Sequence, residues 1–305
     1  MFEPDQIAIL IKISVLGCLF FGAYTIFTLF YLDQIRRKSS LNSNLRLLLG
    51  HIAVPMWFML LVDSILTTIF LFDDYNYPLY KPAWYPLDIS LMVFLAHLMA
   101  QLAERAFATV LVAKYEEIGT RFPIIGLKII IVQWIYGIIC FCIMRTHALK
   151  YVTGFQFTFE TVVTVTMCYL LPRISNRMYE EYKNPSTAMQ SAITTLGLRY
   201  QTSENLKAAN LTSKIITVQI ITSLITFGLH VWARNTTPNS FEWLMIMKGM
   251  HGLLGISAVV QQSIVLYELR SKHNSRKVLN ISQQQAAASQ QRLYFQQLAD
   301  QWNQT

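Results

Sequence analysis

Charge is scarce in this chain. Only 14% of its 305 residues are Asp, Glu, Lys or Arg, whereas 53% are hydrophobic and the mean hydropathy is +0.37. This composition excludes an ordinary soluble globular protein of this length. It indicates a membrane protein, in which a helix needs about 20 apolar residues to cross roughly 30 Å of hydrocarbon.

Several signatures of chemistry are also missing. The sequence has no HExxH, no GxSxG and no duplicated broken helix of the transporter type, which disfavours an intramembrane enzyme or transporter. His97 and His251 lack metal-ligand spacing, so we predict no metal and no cofactor. The four cysteines all lie within the long apolar windows described in the next paragraph, and none lies at the outer end of the third window. The seventh window contains no NPxxY motif. The disulfide that marks rhodopsin-like receptors therefore cannot form.

Long apolar windows predict an all-α bundle of seven transmembrane helices. They are Ile7 to Leu32, Leu45 to Phe72, Leu87 to Val112, Phe122 to Met144, Tyr151 to Leu171, Leu211 to Trp232 and Phe241 to Leu266. Glu160 interrupts the fifth window, which leaves six spans as the alternative. The opening MFEPDQ has no basic n-region, so we expect the first span to act as an uncleaved anchor.

Positive charge predicts the orientation of these spans. Eighteen Lys and Arg residues fall in the tail, in the loops on its side of the membrane or at the adjoining ends of the spans, and four fall in the other loops. Because cytoplasmic loops collect positive charge, the N-terminus is predicted outside and the C-terminus inside. We therefore predict a membrane domain at residues 1–269 and a polar, Gln- and Ala-rich cytoplasmic tail at residues 270–305.

The same orientation explains the net charge of +8. We interpret it as a cytoplasmic face attracted to anionic membrane lipid, and not as a sign of nucleic-acid binding. The sequon at Asn235 falls in a loop that this topology places outside, which makes Asn235 a candidate for glycosylation.

One polar stripe runs along the third span. His97, Gln101, Glu104, Arg105 and Ala108 recur at helical spacing within about a quarter turn of one another. Each charge facing lipid would cost roughly 3 kcal/mol, so the stripe is predicted to face the bundle. The acid and base near its cytoplasmic end could form a static polar contact or a conformational switch, and spacing alone favours the static contact.

Other ionisable residues at membrane depth are candidate ligand-binding groups. Lys248 and His251 share one face of the seventh span, and Asp63 could pair with Lys248, either to set a resting state or as a structural contact. The candidate set is Asp63, His97, Glu160, Lys248 and His251.

The sixth span is predicted to project into the cytoplasm. With Thr202 as N-cap, a helix from Ser203 to Trp232 would be about 45 Å long, roughly 15 Å more than the hydrocarbon requires. The projection could bind a cytoplasmic partner or simply be an amphipathic extension.

Two motifs resemble those of nematode serpentine chemoreceptors, in the superfamily of the alpha, alpha-beta, beta and epsilon classes. Glu104-Arg105 with Ala108-Thr109 and Tyr115-Glu116 resembles ERxxAT…YE, and Arg199-Tyr200-Gln201 with Glu204-Asn205 resembles RYQxxEN. Asn42-Ser43-Asn44-Leu45 is similar to the FHxNL segment, although Leu41 and Asn42 replace its Phe-His.

The resemblance implies a G protein-coupled receptor in the plasma membrane of a chemosensory neuron, in its sensory cilium. Its partners would be a heterotrimeric G protein and a small external chemical. It favours switching over a static contact, and it implies switch and coupling roles for Glu104, Arg105, Tyr115, Arg199, Tyr200, Gln201, Glu204 and Asn205. The alternative is a ligand-gated cation channel of the insect chemoreceptor type, but those proteins have the opposite orientation.

Overall fold

The regular structure of the chain is helical wherever it is described. The computed structural model describes residues 3–37, 42–72, 80–111, 115, 122–144, 158, 161–166, 169–170, 173–174, 176–177, 196–237 and 240–270, and no strand occurs among them. The longer helices are α1 (Pro4–Arg37), α2 (Ser43–His51), α3 (Ala53–Phe72), α4 (Tyr80–Val110), α5 (Ile124–Met144), α6 (Leu196–Asn235) and α7 (Phe241–Arg270).

Six helical segments of the described chain are long and apolar enough to cross a membrane. They are α1, α5 from Ile124 to Ile143, α7, and the stretches Ser43–Ile69, Tyr85–Val110 and Lys207–Ala233. Six of the seven predicted spans are thereby confirmed as helices of suitable length. The fifth window, including Glu160, lies mainly outside the described residues, although residues 161–166 within it are helical. The count of seven and the orientation stay predictions.

The outward surface of the bundle is strongly apolar. Leu16, Leu19 and Ile26 of α1 expose 64%, 65% and 72% of their side chains. Such a continuous apolar face would be a liability in water, whereas hydrocarbon is its natural solvent.

Helix α4 occupies the centre of the bundle and contacts α2, α3, α5 and α6. A core cluster joins it to its neighbours, with Phe94 of α4 packed among Tyr24 of α1, Met59 of α3 and Leu254 of α7. Gly137 allows α5 to approach α4 closely, because a Cβ there would lie 2.6 Å from the Val93 Cγ2.

The second predicted span is divided into α2 and α3. Pro55 has no N–H with which to bond the carbonyl of His51, and its ring crowds that carbonyl, so the break at Ile52 has a local cause. The sequence analysis treated Leu45 to Phe72 as one helix and did not use this signal.

Helix α6 begins earlier than predicted. It starts at Leu196, so Thr202 lies inside the helix and the N-cap prediction is wrong. Its 40 residues correspond to about 60 Å, which is longer than the predicted helix. The side chains of residues 196–206 lie outside the part described.

The chain divides into two compact units, residues 1–262 and residues 263–305. The first contains α1 to α6 and most of α7. In the second, the structure describes residues 263–270, which are helical, and the predicted tail lies outside the described residues.

Candidate functional site

The polar stripe of α4 faces the interior of the bundle. His97, Gln101, Glu104, Arg105 and Ala108 are all buried, which confirms the interpretation of their spacing. Glu104 has no exposed surface and Arg105 retains 3%, so both charges are shielded from lipid.

Glu104 and Arg105 form an ion pair with each other. The Arg105 Nε and Nη2 groups donate to the two carboxylate oxygens of Glu104, in a bidentate arrangement between adjacent residues of one helix. Two-point pairing of this kind is strong and geometrically specific. Because both partners belong to α4, the pair does not itself join two helices. Its effect is to keep the guanidinium bound to its own neighbour.

Tyr115 adds a second donor to Glu104 from beyond the end of α4. Its hydroxyl donates to the Glu104 carboxylate, and its backbone N–H donates to the Leu111 carbonyl at 2.8 Å. Burial, and then the adjacent Glu104 charge, raise the pKa of Tyr115 well above its usual value. The phenol therefore stays protonated and remains a hydrogen-bond donor at physiological pH. The neighbouring candidate Glu116 lies outside the described residues.

Asn44 connects this cluster to α2 and α5. Its side-chain carbonyl accepts a hydrogen bond from the Gly126 N–H at 3.0 Å, and its side chain lies beside the Tyr115 hydroxyl. A Cβ at Gly126 would lie 3.0 Å from the Asn44 backbone oxygen, so glycine permits this close approach. Sequence analysis quoted Asn44 only within a motif and gave it no site role. We call Asn44, Glu104, Arg105 and Tyr115 the switch cluster.

The remaining switch and coupling candidates all lie on α6. Arg199, Tyr200, Gln201, Glu204 and Asn205 fall within its first ten residues, but their side chains are outside the described part. Their predicted roles therefore stay predictions.

Three of the five candidate ligand-binding residues meet between α3 and α7. The Lys248 Nζ lies 2.8 Å from both Asp63 carboxylate oxygens, and the His251 Nδ1 lies 2.9 Å from one of them. Thr67 accepts a further hydrogen bond from Lys248. The predicted contact between Asp63 and Lys248 is thus confirmed, and Thr67 is a partner that sequence analysis missed although it lies one turn from Asp63.

These residues line a small, partly enclosed cavity of about 30 Å³. Its other walls come from α1, α3 and α7 and are mostly apolar, comprising Leu10, Ile13, Ser14, Leu66, Leu244 and Met247. A few charged groups in an apolar setting are the lining typical of a ligand pocket, whereas the volume is that of about one or two water molecules. We call this the α1–α3–α7 pocket.

The other two ligand candidates are not part of this pocket. Glu160 lies outside the described residues. The His97 Nδ1 lies 3.4 Å from the Gln133 Nε2, which donates to the Val93 carbonyl at 2.7 Å. The His97 ring is tilted by 36° to the His51 ring, with 5.7 Å between their centroids. His97 belongs to a separate polar contact between α4, α5 and α2.

Neutral polar side chains connect α6 to α7 and α7 to α1. The Thr222 hydroxyl donates to the Ser257 hydroxyl at 2.9 Å, Gln261 donates to Gln219, and Gln262 donates to the Tyr24 hydroxyl at 2.8 Å. Among the sixth and seventh spans and the first, the sequence analysis weighed only ionisable residues at membrane depth, so it missed this network. The adjacent glutamines inside an apolar span were the available signal.

The structure also places the glycosylation candidate and bears on metal binding. Asn235 ends α6 and is exposed, and its glycosylation stays a prediction. Within the described ranges, no group of three or more His, Cys, Asp or Glu side chains is arranged to hold a metal ion.

Comparison with known proteins identifies the class of this chain. The family model described as Sre G protein-coupled chemoreceptor matches residues 86–248, more than half of the sequence, and the matched region contains both motifs quoted above. A comparison with curated proteins found no match. Six helices in the described parts of the chain are long and apolar enough to cross a membrane, so the protein is a multi-pass membrane receptor. The chain belongs to the Sre G protein-coupled chemoreceptor family, which confirms its resemblance to nematode serpentine receptors.

Proposed function

We propose that this protein is a seven-span receptor that binds a small external chemical and activates a heterotrimeric G protein. The observation that carries the proposal is the family match over residues 86–248. The family is one of receptors, which favours this function over the cation channel and over an enzyme. The proposed location is the plasma membrane, in a sensory cilium.

The α1–α3–α7 pocket is the proposed ligand site. Asp63, Lys248 and His251 are ionisable groups at membrane depth, where such residues are functional candidates by default. A ligand with its own charged or hydrogen-bonding group competes for Lys248 or Asp63. Because the cavity holds about 30 Å³, such a ligand must favour an arrangement in which these helices stand further apart.

The cytoplasmic ends of α4 and α6 form the proposed coupling surface. The switch cluster keeps Arg105 paired with Glu104 in the present arrangement. When that pair breaks, Arg105 can bind another partner. The paired and unpaired arrangements are then two states of the receptor, and a ligand can shift the equilibrium between them. The RYQxxEN segment of α6 supplies the adjoining contacts with the G protein.

The function is tested by expressing the full chain with each of several G protein α subunits and applying a panel of small chemicals. We expect at least one chemical to evoke G protein dissociation, and any accompanying current to disappear when GDP-β-S blocks the G protein. Cells expressing Lys12→Met serve as a control, because Lys12 is exposed on α1 and lies outside the pocket. A ligand-evoked current that survives GDP-β-S would instead favour the channel.

Topology gives an independent prediction. An epitope at the N-terminus should be stained by antibody on intact cells, whereas one after Thr305 should require permeabilisation, because the positive loops lie on the cytoplasmic side. Staining of both ends on intact cells, or of neither end until permeabilisation, would contradict an odd number of spans.

A further inference from the structure

A groove opens on the side of the bundle between α1, α2 and α5. It has a volume of about 630 Å³, which falls within the roughly 300–1,000 Å³ typical of small-molecule sites. Its polar end is formed by Arg36 near the end of α1 and by Ser43 and Arg46 at the start of α2. It shares no lining residue with the α1–α3–α7 pocket.

Both arginines are available to an external partner. Neither Arg36 nor Arg46 has an ion-pair partner in the described parts of the chain, and both line the groove. Arg37 differs, because it is bound to Asp33 at 2.8 Å and lies outside the groove. Two unpaired guanidinium groups at one end of a cleft are suited to the planar, two-point binding of a phosphate.

The rest of the groove is suited to hydrocarbon. Its walls are mainly apolar and comprise Leu32, Ile35, Leu47, Val54, Pro123 and Ile130. Val54 follows Arg46 by eight residues, so the apolar wall extends about 12 Å from the arginines toward the membrane interior. A free anion would leave this wall unused, whereas a phospholipid uses both ends of the groove.

We propose that this groove binds an anionic phospholipid of the inner leaflet, with its phosphate held by Arg36 and Arg46 and an acyl chain against the apolar wall. The choice of leaflet rests on the proposed orientation, but the binding itself does not depend on G protein coupling. Basic pockets between transmembrane helices at the cytoplasmic side are known to recognise such headgroups.

The bound lipid would support the switch cluster. Asn44 lies between the groove residues Ser43 and Arg46 in sequence, and it accepts from the Gly126 N–H three residues after Pro123, another lining residue. A lipid seated between α1, α2 and α5 would therefore contact residues on both sides of the Asn44–Gly126 hydrogen bond, and the Asn44 side chain lies beside Tyr115.

The test uses the purified full chain in detergent and native mass spectrometry with dioleoylphosphatidylserine, dioleoylphosphatidylcholine and soluble glycerophosphoserine. We expect phosphatidylserine to be retained more strongly than phosphatidylcholine, because the choline cation offsets the phosphate charge that both lipids carry. Glycerophosphoserine, which has no acyl chain, should not be retained. Since one basic residue near a membrane contributes about 1 kcal/mol, Arg36→Gln and Arg46→Gln should each weaken retention about fivefold, and the double variant about thirtyfold.

Arg37→Gln is the matched control, because it removes the same charge one residue from Arg36 but outside the groove, and retention should be unchanged. Gly50→Leu tests the groove with both arginines intact. A Cβ at Gly50 meets only the Leu32 Cδ2 at 3.5 Å, and leucine favours a helix over glycine, so this variant should fold while filling the groove and losing the lipid.

Equal retention by the wild type and the double arginine variant would overturn the proposal. Equal retention of phosphatidylcholine would show ordinary lipid contact, and binding of glycerophosphoserine as tight as that of the lipid would show a simple anion site. Each of these results overturns the lipid site and leaves the proposed receptor function standing, because no signalling is measured.

Discussion

Glu104→Gln should raise basal G protein signalling, and Arg105→Ala should abolish the response evoked by ligand. Glu104 is fully buried and binds Arg105 at two points, so neutralising it removes the charge that keeps the guanidinium in place. Removing one partner of a buried pair costs about 3–5 kcal/mol in the state that contains the pair. Even about 1.4 kcal/mol of that difference would change the ratio of active to inactive receptor tenfold.

The measurement is G protein dissociation per receptor at the cell surface, with surface receptor quantified on the same cells. Tyr115→Phe should give a smaller rise than Glu104→Gln, because it removes one neutral donor and leaves the ion pair intact. Asp33→Asn is the matched control. It also removes the acid from an acid–arginine pair at the same end of the bundle, but that pair is exposed.

Unchanged basal and evoked signalling in both Glu104→Gln and Arg105→Ala, at wild-type surface density, would assign the pair to a static structural contact. If basal signalling is unchanged in Asp33→Asn but raised in Glu104→Gln, then burial of the pair, and not charge alone, sets the resting state.

Much of the helical architecture could be predicted because lipid imposes simple rules. A span must be about 20 apolar residues long and must satisfy its own backbone, so hydropathy alone locates helices such as α1 and α5. The burial of Glu104 and Arg105 follows from the same rule, since charges on α4 cannot face hydrocarbon.

Helix boundaries and contacts between helices were harder to predict from the sequence. The early start of α6 at Leu196 has no apolar signal, because that segment lies beyond the hydropathic window. The division at Ile52 depends on the single residue Pro55. The contact of Asn44 with Gly126 joins residues 82 positions apart, and no local pattern encodes which amide meets which backbone.

The candidate ligand site, too, could be predicted from the sequence only in part. Spacing placed Lys248 and His251 on one face of α7, and Asp63 was a predicted partner of Lys248, but spacing could not show that His97 lies apart from them and beside Gln133. That distinction depends on how α3, α4 and α7 are rotated about their axes, which is fixed by the packing of neutral side chains such as Phe94 and Leu254.

A large loss of stability is expected when only one partner of the Asp63–Lys248 pair is replaced. The Asp63 and Lys248 side chains are 13% and 20% exposed, and each belongs to a different helix. Asp63→Asn leaves the Lys248 ammonium without its counter-charge, and Lys248→Met leaves the Asp63 carboxylate with His251 and no lysine. We expect each single variant to lose about 3 kcal/mol of stability, which corresponds to a lower Tm by roughly 10 °C in purified receptor.

The double variant Asp63→Asn/Lys248→Met should recover most of that loss, because replacing both partners removes the uncompensated charge. It should nevertheless lose the ligand response, since the α1–α3–α7 pocket would keep its shape and lose its charged pair. Lys12→Met is the matched control, because Lys12 is an exposed lysine of α1, and its Tm and response should not change. If the two single losses simply add in the double variant, the residues are not coupled. If the double variant still responds to ligand, the pair stabilises the bundle without recognising the chemical.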